Sequence, residues 1–252
     1  MSYKIAVPSY NRLDTLLNKT MLTLIRGEIP KESIYIFVVE EEYEKYKEAL
    51  PTINIIIGEK GCVNQRNFIM NYFDEGDYII SMDDDIEKVE YIGDDDFITI
   101  ENLNDFFMYN LDFMKKINAN IWGVYPVYNK LFMSKQKQPI SLGLNFLIGH
   151  LYGFINRKDD NFKLNCKVMH DYENSIIHYL KDGKVIRYNN IACKTKMYGR
   201  GGIGNKNDRY EDMETDVMFL MSKYGDYVKP KKKRDGMPHI VLKKLPALDM
   251  EI

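Results

Sequence analysis

Cysteine is scarce in this chain of 252 residues, which contains only three cysteines and one tryptophan. Cys62, Cys166 and Cys193 lie far apart, and none of them belongs to a Cys-x-x-Cys pair. Their odd number and wide spacing argue against a disulfide framework and against a structural zinc site, both of which need clustered cysteines. The cysteines therefore favour a reducing compartment.

Long apolar runs are also missing, although 45% of the residues are hydrophobic. No stretch is long enough to span a bilayer, and no apolar leader precedes the first predicted strand. We therefore expect a soluble, cytoplasmic protein with no membrane partner. The length suits one large α/β domain or two small ones.

The small net charge of −2 hides a strong asymmetry between the two halves of the chain. Residues 1–114 contain 10 Lys and Arg against 23 Asp and Glu, whereas residues 115–252 contain 25 against 14. This separation fits two interpretations equally: in the first, one half binds a metal and the other approaches a polyanion. In the second, the two halves neutralise each other across an internal interface.

Apolar runs alternate with segments of helical spacing in the first half. Continuous runs predict buried strands at 4–8, 34–39, 53–57 and 78–82. Helical spacing predicts helices at 13–25, 40–50 and 63–72. This alternation predicts a mostly parallel sheet flanked by helices, with ligands bound outside the carboxyl ends of the strands.

The second half is less regular. Helices are predicted at 103–117, 172–180 and 209–224, and strands around 121–124 and within 140–155 and 185–195. A glycine-rich loop is expected at 199–205 and a basic tail after the last helix.

Three successive carboxylates, Asp83-Asp84-Asp85, follow the fourth predicted strand. Carboxylates that converge at a strand end repel each other unless a cation lies between them. Mg²⁺ and Mn²⁺ prefer oxygen ligands and often share them with phosphates, so this triplet predicts a metal–diphosphate site. A second triplet, 94–96, follows Gly93 without a leading strand, and we expect it to form a surface turn.

Four segments in chain order resemble the motifs of GT-A type nucleotide-sugar glycosyltransferases. They are Val7-Pro8-Ser9-Tyr10-Asn11-Arg12, Gly61-Cys62-Val63-Asn64-Gln65-Arg66-Asn67, Asp83-Asp84-Asp85 and His170-Asp171-Tyr172-Glu173. In that order they are similar to the loop that holds the nucleotide base, the Gly-x-x-x-Ala-Arg-Asn element, the Asp-x-Asp element and the acceptor-side carboxylate at a helix start. Gln65 stands where alanine is usual.

The resemblance implies a single GT-A domain over 1–252, a Rossmann-like α/β fold with a mixed second half. Residues 1–114 would bind the nucleotide-sugar and the metal, and 115–252 the acceptor. The residues implied to contact the donor are Pro8, Ser9, Tyr10, Asn11, Arg12, Gly61, Arg66, Asp83 and Asp84. Alternatively, Arg66 is a solvated helix residue.

The resemblance also implies the reactive groups. Asp85 would be the direct metal ligand, with Asp83 and the late His239 as further ligands. Mn²⁺ or Mg²⁺ would neutralise the charge that develops on the leaving diphosphate of a UDP-sugar. An inverting transfer needs a base for the acceptor hydroxyl, and Asp171 is the first candidate, with Glu173 in reserve. Alternatively, Asp171 only caps a helix and His239 is structural.

Basic residues of the second half cluster at 181–209 and 229–234, interleaved with tyrosines. Such a surface suits a phosphate backbone and stacked bases, although a plain solvated face has the same composition. The glycine-rich stretch and compact size also resemble glycosyltransferases associated with TET/JBP-type oxygenases, including the base J glucosyltransferase and phage enzymes that glycosylate hydroxymethylated pyrimidines in DNA. We therefore expect a flipped hydroxymethylpyrimidine in DNA as acceptor, in a host cell if the source is a phage.

Three other interpretations remain open at this point. The same transfer could act on a glycan, a protein or a small molecule. A Mg²⁺-dependent nucleotidyltransferase shares the acidic site, but the chain lacks a clear N-terminal glycine-rich triphosphate loop. The third is an inactive DNA-binding protein of the same fold.

Overall fold

The computed structural model describes residues 2–195, 208–232 and 236–248. The predicted loop at 199–205 and parts of both basic clusters lie outside these residues. The described strands are β1 (Tyr3–Pro8), β2 (Ile34–Val38), β3 (Asn54–Ile57), β4 (Tyr78–Met82), β5 (Ile86–Ile92), β6 (Phe97–Thr99), β7 (Ile121–Val124), β8 (Ile140–Ser141), β9 (Leu151–Ile155), β10 (Ile186–Tyr188), β11 (Ile191–Thr195), β12 (Val228–Lys232) and β13 (Pro238–Leu242).

Helices separate most of these strands. The described α-helices are α1 (Leu13–Asn18), α2 (Thr20–Arg26), α3 (Tyr43–Ala49), α4 (Cys62–Tyr72), α5 (Leu103–Ile117), α6 (Lys130–Met133), α7 (His170–Asp182) and α8 (Asp208–Tyr224). None of the helices in the described part of the chain is both long and apolar enough to cross a membrane.

One eight-stranded sheet runs through both halves of the chain in the order β3-β2-β1-β4-β9-β7-β10-β8. Strands β1 to β4 are parallel where they pair, and β10 is parallel to β7. Strand β9 is antiparallel to both β4 and β7, so β7 runs in the same direction as β4. The carboxyl ends of β1, β4 and β7 therefore lie at one edge of the sheet, as the predicted mixed, mostly parallel α/β fold requires.

Both faces of this sheet are buried, which explains the continuous apolar runs of the first strands. Ile5 and Ile80 pack on one face with residues of α1, α2 and α5, including Leu16 and Phe107. Ile79 packs on the other face with residues of α4, α7 and α8. Alternate residues of a strand point to opposite faces, so adjacent apolar residues serve two separate cores.

A smaller sheet of β11, β5 and β6 begins directly after the acidic triplet. Strand β5 pairs antiparallel with both neighbours, and Thr195 at the end of β11 pairs with Ile86 at the start of β5. At the other end of β5, the N–H of Gly93 donates to the carbonyl of Asp96. The second acidic triplet is thus an exposed turn, as predicted.

The predicted helix at 13–25 is wrong in one respect, because the structure divides it at Lys19 into α1 and α2. The break turns Thr20 toward the acidic triplet, where its hydroxyl donates to the carbonyl of Asp83 at 2.7 Å. The same hydroxyl accepts from the N–H of Ile86 at 3.0 Å. These long-range hydrogen bonds stabilise a backbone conformation that helical spacing could not indicate.

One further expectation for the second half needs correction. The stretch 185–195 forms strands as predicted, β10 and β11, and these belong to different sheets. The segment after α8 is not a tail throughout, because β12 and β13 pair as an antiparallel hairpin. Ile240 of this hairpin is fully buried in the same core as Leu220 of α8, and this burial holds the hairpin in place.

Candidate active site

Polar side chains converge at the carboxyl edge of the large sheet. They come from the loop after β1, the triplet after β4, the start of α4, the segment before β9 and the start of α7. Arg66 of α4 illustrates the convergence, since it contacts both Asp83 and the carbonyl of Gly149. The edge therefore brings together residues that are far apart in the sequence.

The three carboxylates of the triplet have different environments. Asp84 is only 3% exposed and accepts from the Ser9 hydroxyl at 2.8 Å. Its other oxygen lies 2.9 Å from Nη1 of Arg12. Burial raises the pKa of Asp84 to about 7, although Arg12 and Ser9 act in the opposite direction. Asp84 thus ties the loop after β1 to the triplet, and it is not exposed for the donor contact that the sequence predicted.

Asp85 lies between the two sheets and is held from both sides. Nη2 of Arg12 lies 2.8 Å from one of its oxygens, and the Thr195 hydroxyl donates to the other at 2.7 Å. A carboxylate oxygen has two acceptor positions, so each oxygen keeps one that a cation could use. Hydrogen-bonded carboxylates of this kind are typical of metal ligands, because the hydrogen bonds orient the ligand.

Asp83 is the most open of the three carboxylates, with 36% of its side chain exposed. Nη2 of Arg66 donates to its Oδ1 at 3.1 Å. The surroundings of Asp83 raise its pKa to about 6. Partial burial is the largest cause, and repulsion from Asp85 and Asp171 adds to it, whereas Arg66 acts in the opposite direction. A cation beside Asp83 would relieve this repulsion.

The loop after β1 is held rigidly by residues around α3. Pro8 ends the strand, and Asn11 adopts a left-handed backbone conformation with φ of 54°. The N–H of Asn11 donates to both carboxylate oxygens of Glu42, at 3.0 and 2.9 Å. Tyr10 is 37% exposed, and Nζ of Lys60 lies 5.5 Å from the centre of its ring. Tyr10 is therefore accessible to a planar ligand.

Arg66 is not the solvated helix residue of the alternative interpretation, because it is only 5% exposed. Its guanidinium donates to the Ser81 hydroxyl at 2.9 Å, in addition to Asp83 and the carbonyl of Gly149. Gly61, with φ of 100°, precedes the helix that carries it. Gln65 stands in this helix where alanine is usual. Its side-chain amide fills the space beside Gly58, and a Cβ atom added to Gly58 would lie only 2.2 Å from Oε1 of Gln65.

Asp171 is the second residue of α7, which begins at His170, so it does not cap the helix. Its Oδ1 lies 3.1 Å from Nε2 of His170, and 22% of its side chain is exposed. Burial alone would raise the pKa of Asp171. His170, Arg66 and the N–H of Gly149 act in the opposite direction and outweigh burial, so the pKa lies below its ordinary value. Asp171 is therefore an ionised carboxylate at the carboxyl edge of the large sheet.

Gly149 was missed in the sequence analysis, although the structure places it between two site residues. A Cβ atom at Gly149 would lie 2.5 Å from Oδ1 of Asp171 and 2.9 Å from Nη2 of Arg66. Only glycine allows the two side chains to approach this close. The following residue, His150, is 6% exposed, and burial lowers its pKa to about 4.

Glu173, the reserve base, is fully buried and is engaged elsewhere. It accepts from the backbone N–H groups of Asn165 and Cys166, at 2.6 and 2.8 Å. Asp216 of α8 accepts from the next three N–H groups, those of residues 167–169, at 2.7 to 3.1 Å. Two buried carboxylates thus hold five successive N–H groups immediately before α7. The geometry gives Glu173 this structural role and argues against Glu173 as the base.

Replacing Glu173 by glutamine should lower the free energy of unfolding by about 1–3 kcal/mol, because the charge is lost and the amide N–H must face an N–H donor. Oε2 accepts from both backbone N–H groups, and Oε1 accepts from the side-chain amide of Asn165. Urea denaturation followed by circular dichroism measures this loss. Glu214→Gln, on the exposed side of α8, is the matched control and should change stability by less than about 0.5 kcal/mol. An unchanged midpoint for Glu173→Gln would contradict the assigned structural role.

His239 lies on β13, and its Nε2 is 3.2 Å from the Tyr172 hydroxyl. Across residues 2–195, 208–232 and 236–248, no group of three or more His, Cys, Asp or Glu side chains is arranged to hold a metal ion. The structure therefore does not join His239 with Asp83 and Asp85 in a three-ligand centre. Mg²⁺ usually binds through one or two carboxylates together with substrate phosphates, and Asp83 and Asp85 fit that pattern.

A model of the TET-Associated Glycosyltransferase family matches residues 3–202. No curated protein matches the chain. A fragment of S. aureus TarS in complex with UDP has a TM-score of 0.54 and 15% identity over 88% of this chain and 66% of that chain.

Two more solved structures are similar. S. aureus TarS has a TM-score of 0.54 and 16% identity over 88% of this chain and 40% of that chain. This chain therefore spans less than half of that TarS structure. Glucosyl-3-phosphoglycerate synthase from Mycobacterium tuberculosis, in complex with Mn²⁺, UDP and glucosyl-3-phosphoglycerate, has a TM-score of 0.48 and 8% identity. The match covers 98% of this chain and 90% of that chain.

The similarity to TarS shows the fold, which is that of GT-A glycosyltransferases. The family match covers the loop after β1, the acidic triplet and Asp171. On this evidence the chain belongs to the TET-associated glycosyltransferase family.

Proposed function

We propose that this protein transfers a sugar from a UDP-sugar to a hydroxymethylated pyrimidine in DNA, with inversion at the anomeric carbon and with the help of Mn²⁺ or Mg²⁺. The observation that carries the proposal is the convergence of Asp83, Asp85 and the ionised Asp171 at one edge of the sheet. A transferase of this kind needs a negative site for a metal–diphosphate and a separate base for the acceptor.

Each residue would then have a distinct task. Asp85, oriented by Arg12 and Thr195, and the more open Asp83 would hold the cation. When bound, the cation supplies positive charge that offsets the charge on the departing diphosphate. The exposed ring of Tyr10 is available to stack on the uracil.

Asp171 would act on the acceptor. Its carboxylate takes the proton from the hydroxymethyl oxygen as that oxygen forms a bond to the anomeric carbon and the bond to UDP breaks. His170 Nε2, at 3.1 Å, fixes the orientation of the carboxylate. A buried hydrogen-bonding partner of this kind keeps the base in one rotamer and so favours a productive geometry.

Support for a DNA acceptor comes from the family and from charge. The family is named for its association with TET, and the second half carries 25 Lys and Arg against 14 Asp and Glu. Within the described residues, Lys229 and Lys231 lie exposed on β12. Exposed lysines of this kind favour contact with phosphates, and the target base must leave the duplex to reach Asp171.

The test uses the full chain, Mn²⁺, a pool of UDP-sugars and a DNA duplex that contains 5-hydroxymethylcytosine, with an unmodified duplex as control. We expect mass spectrometry of the digested nucleosides to show a hexose or pentose mass on the hydroxymethylated base only, and EDTA to abolish it. Release of UDP without a mass gain would refute the DNA acceptor. In that case the same chemistry on a glycan, a protein or a small molecule would be favoured.

A further inference from the structure

Cys62 differs from the other two cysteines in its surroundings. It is the first residue of α4 and is partly exposed, whereas Cys166 and Cys193 are buried. Its Sγ lies 3.7 Å from Nε2 of His170, although the two residues are 108 positions apart in the chain. His170 in turn contacts Asp171, so the three side chains form a Cys–His–Asp cluster next to the proposed base.

The charges around Cys62 favour its thiolate form. Burial raises the pKa of the thiol, and Asp83 adds a smaller effect in the same direction. His170 and Arg66 lower the pKa by more than this, so the net result is a pKa below the ordinary value. The first turn of a helix of 11 residues adds the partial positive charge of its free N–H groups. The pKa of His170 is shifted upward. Burial lowers it, but the negative charges of Cys62 and Asp171 outweigh burial and raise the pKa well above the ordinary value.

The imidazolium that results is stabilised on one side only. Its Nε2–H lies between two anions, Cys62 and Asp171, whereas Nδ1 has no hydrogen-bond partner among the described residues. The single Nε2–H is shared between Asp171 at 3.1 Å and Cys62 at 3.7 Å, and the negative charges of these two neighbours favour the protonated imidazole.

The other cysteines are internal controls. Burial, followed by repulsion from Glu173 and Asp216, raises the pKa of Cys166. Burial raises the pKa of Cys193 well above the ordinary value, and repulsion from two site carboxylates adds to it. Both are inert thiols at neutral pH, since the thiolate is the reactive form.

We propose that Cys62 is a nucleophilic thiolate and the site at which soft alkylating electrophiles modify this protein, with His170 holding the proton of the thiol. With iodoacetamide, the sulfur of Cys62 attacks the methylene carbon, an S–C bond forms, the C–I bond breaks and iodide leaves. The proton stays on His170, so no further reactant is needed.

Modification has a consequence for catalysis that rests on the proposed function. An adduct on Cys62 occupies space between the start of α4 and His170, which holds Asp171. Displacement of His170 would leave Asp171 without its orienting contact. Transfer should therefore fall in proportion to the fraction of Cys62 that is modified.

The experiment treats the folded full chain with limiting iodoacetamide at pH 6.5 and quantifies each cysteine-containing peptide by mass spectrometry. An ordinary thiol is only about 1% ionised at this pH. We expect Cys62 to react at least about tenfold faster than Cys166 and Cys193. Its rate should also exceed that of Cys62 in the urea-unfolded chain by about tenfold. Equal rates for folded and unfolded Cys62 would overturn the proposal.

A variant tests the role of His170 directly. His170→Asn should slow the labelling of Cys62 about tenfold at pH 6.5 and move the midpoint of its pH–rate profile upward. An unchanged rate would overturn the role of His170. If this variant does not fold, the wild-type profile decides, because a midpoint at or above the ordinary pKa of a thiol, about 8.5, refutes the thiolate. Labelling is read by mass, so an inactive but rapidly labelled chain refutes the proposed function and not the reactive thiol.

Discussion

Replacing Asp85 by asparagine should reduce sugar transfer by about 10²–10³-fold, the loss typical when one electrostatic contact to a developing charge is removed. The amide keeps the shape of the side chain and its contact with Thr195, but it removes the negative charge that faces Arg12 and the proposed cation. Mn²⁺-dependent binding of UDP, measured by isothermal titration calorimetry, should weaken in parallel.

The chain contains its own control for this substitution. Asp95→Asn changes the middle residue of the second triplet, which forms an exposed turn between β5 and β6. This substitution also removes one negative charge from a run of three aspartates. Transfer should stay within about twofold of wild type, because an isolated surface charge contributes little to stability or binding. Wild-type transfer by Asp85→Asn in the presence of Mn²⁺ would rule out Asp85 as the metal ligand.

Replacing Asp171 by asparagine should lower kcat by about 10²–10⁴-fold, the range expected for loss of a general base. The asparagine oxygen can still accept a hydrogen bond from His170 and the side chain keeps its shape, so the fold and the donor site should remain intact. Affinity for UDP should therefore stay near the wild-type value, which separates this variant from Asp85→Asn. Single-turnover transfer to the hydroxymethylated duplex is the measurement.

The result for Asp171→Asn also decides between the two acidic residues at the start of α7. Glu173 is fully buried and holds the backbone of residues 165 and 166, so it cannot replace Asp171 without unfolding that segment. Retention of more than about a tenth of wild-type kcat by Asp171→Asn would mean that another group accepts the proton. In that case His150, buried near Asp171 and Asp85, would be the next candidate.

Local patterns were sufficient to predict most elements of the fold. The continuous apolar runs indicated β1, β2 and β4 because a parallel sheet with both faces covered needs apolar residues at every position. Helical spacing predicted the bounds of α5 without error. The order of strands and helices then predicted that the acidic triplet would lie at a carboxyl edge, because this follows from the direction of parallel strands.

The roles within the site depend on contacts between distant parts of the chain. Asp83, Asp84 and Asp85 are equivalent in the sequence, and only Ser9 and Arg12, more than 70 residues earlier, turn Asp84 into the interior. Asp171 and Glu173 likewise differ only because Glu173 faces the backbone of residues 165 and 166.

The sequence by itself therefore determined the α/β architecture, the family resemblance and the edge of the sheet where chemistry is expected, since these follow from periodicity and motif order. The tertiary structure decided which carboxylates are exposed, why Gly149 is needed between Arg66 and Asp171, and that Cys62 meets His170. The physical reason is that burial, charge and hydrogen-bond partners are set by neighbours in space, which local patterns along the chain do not record.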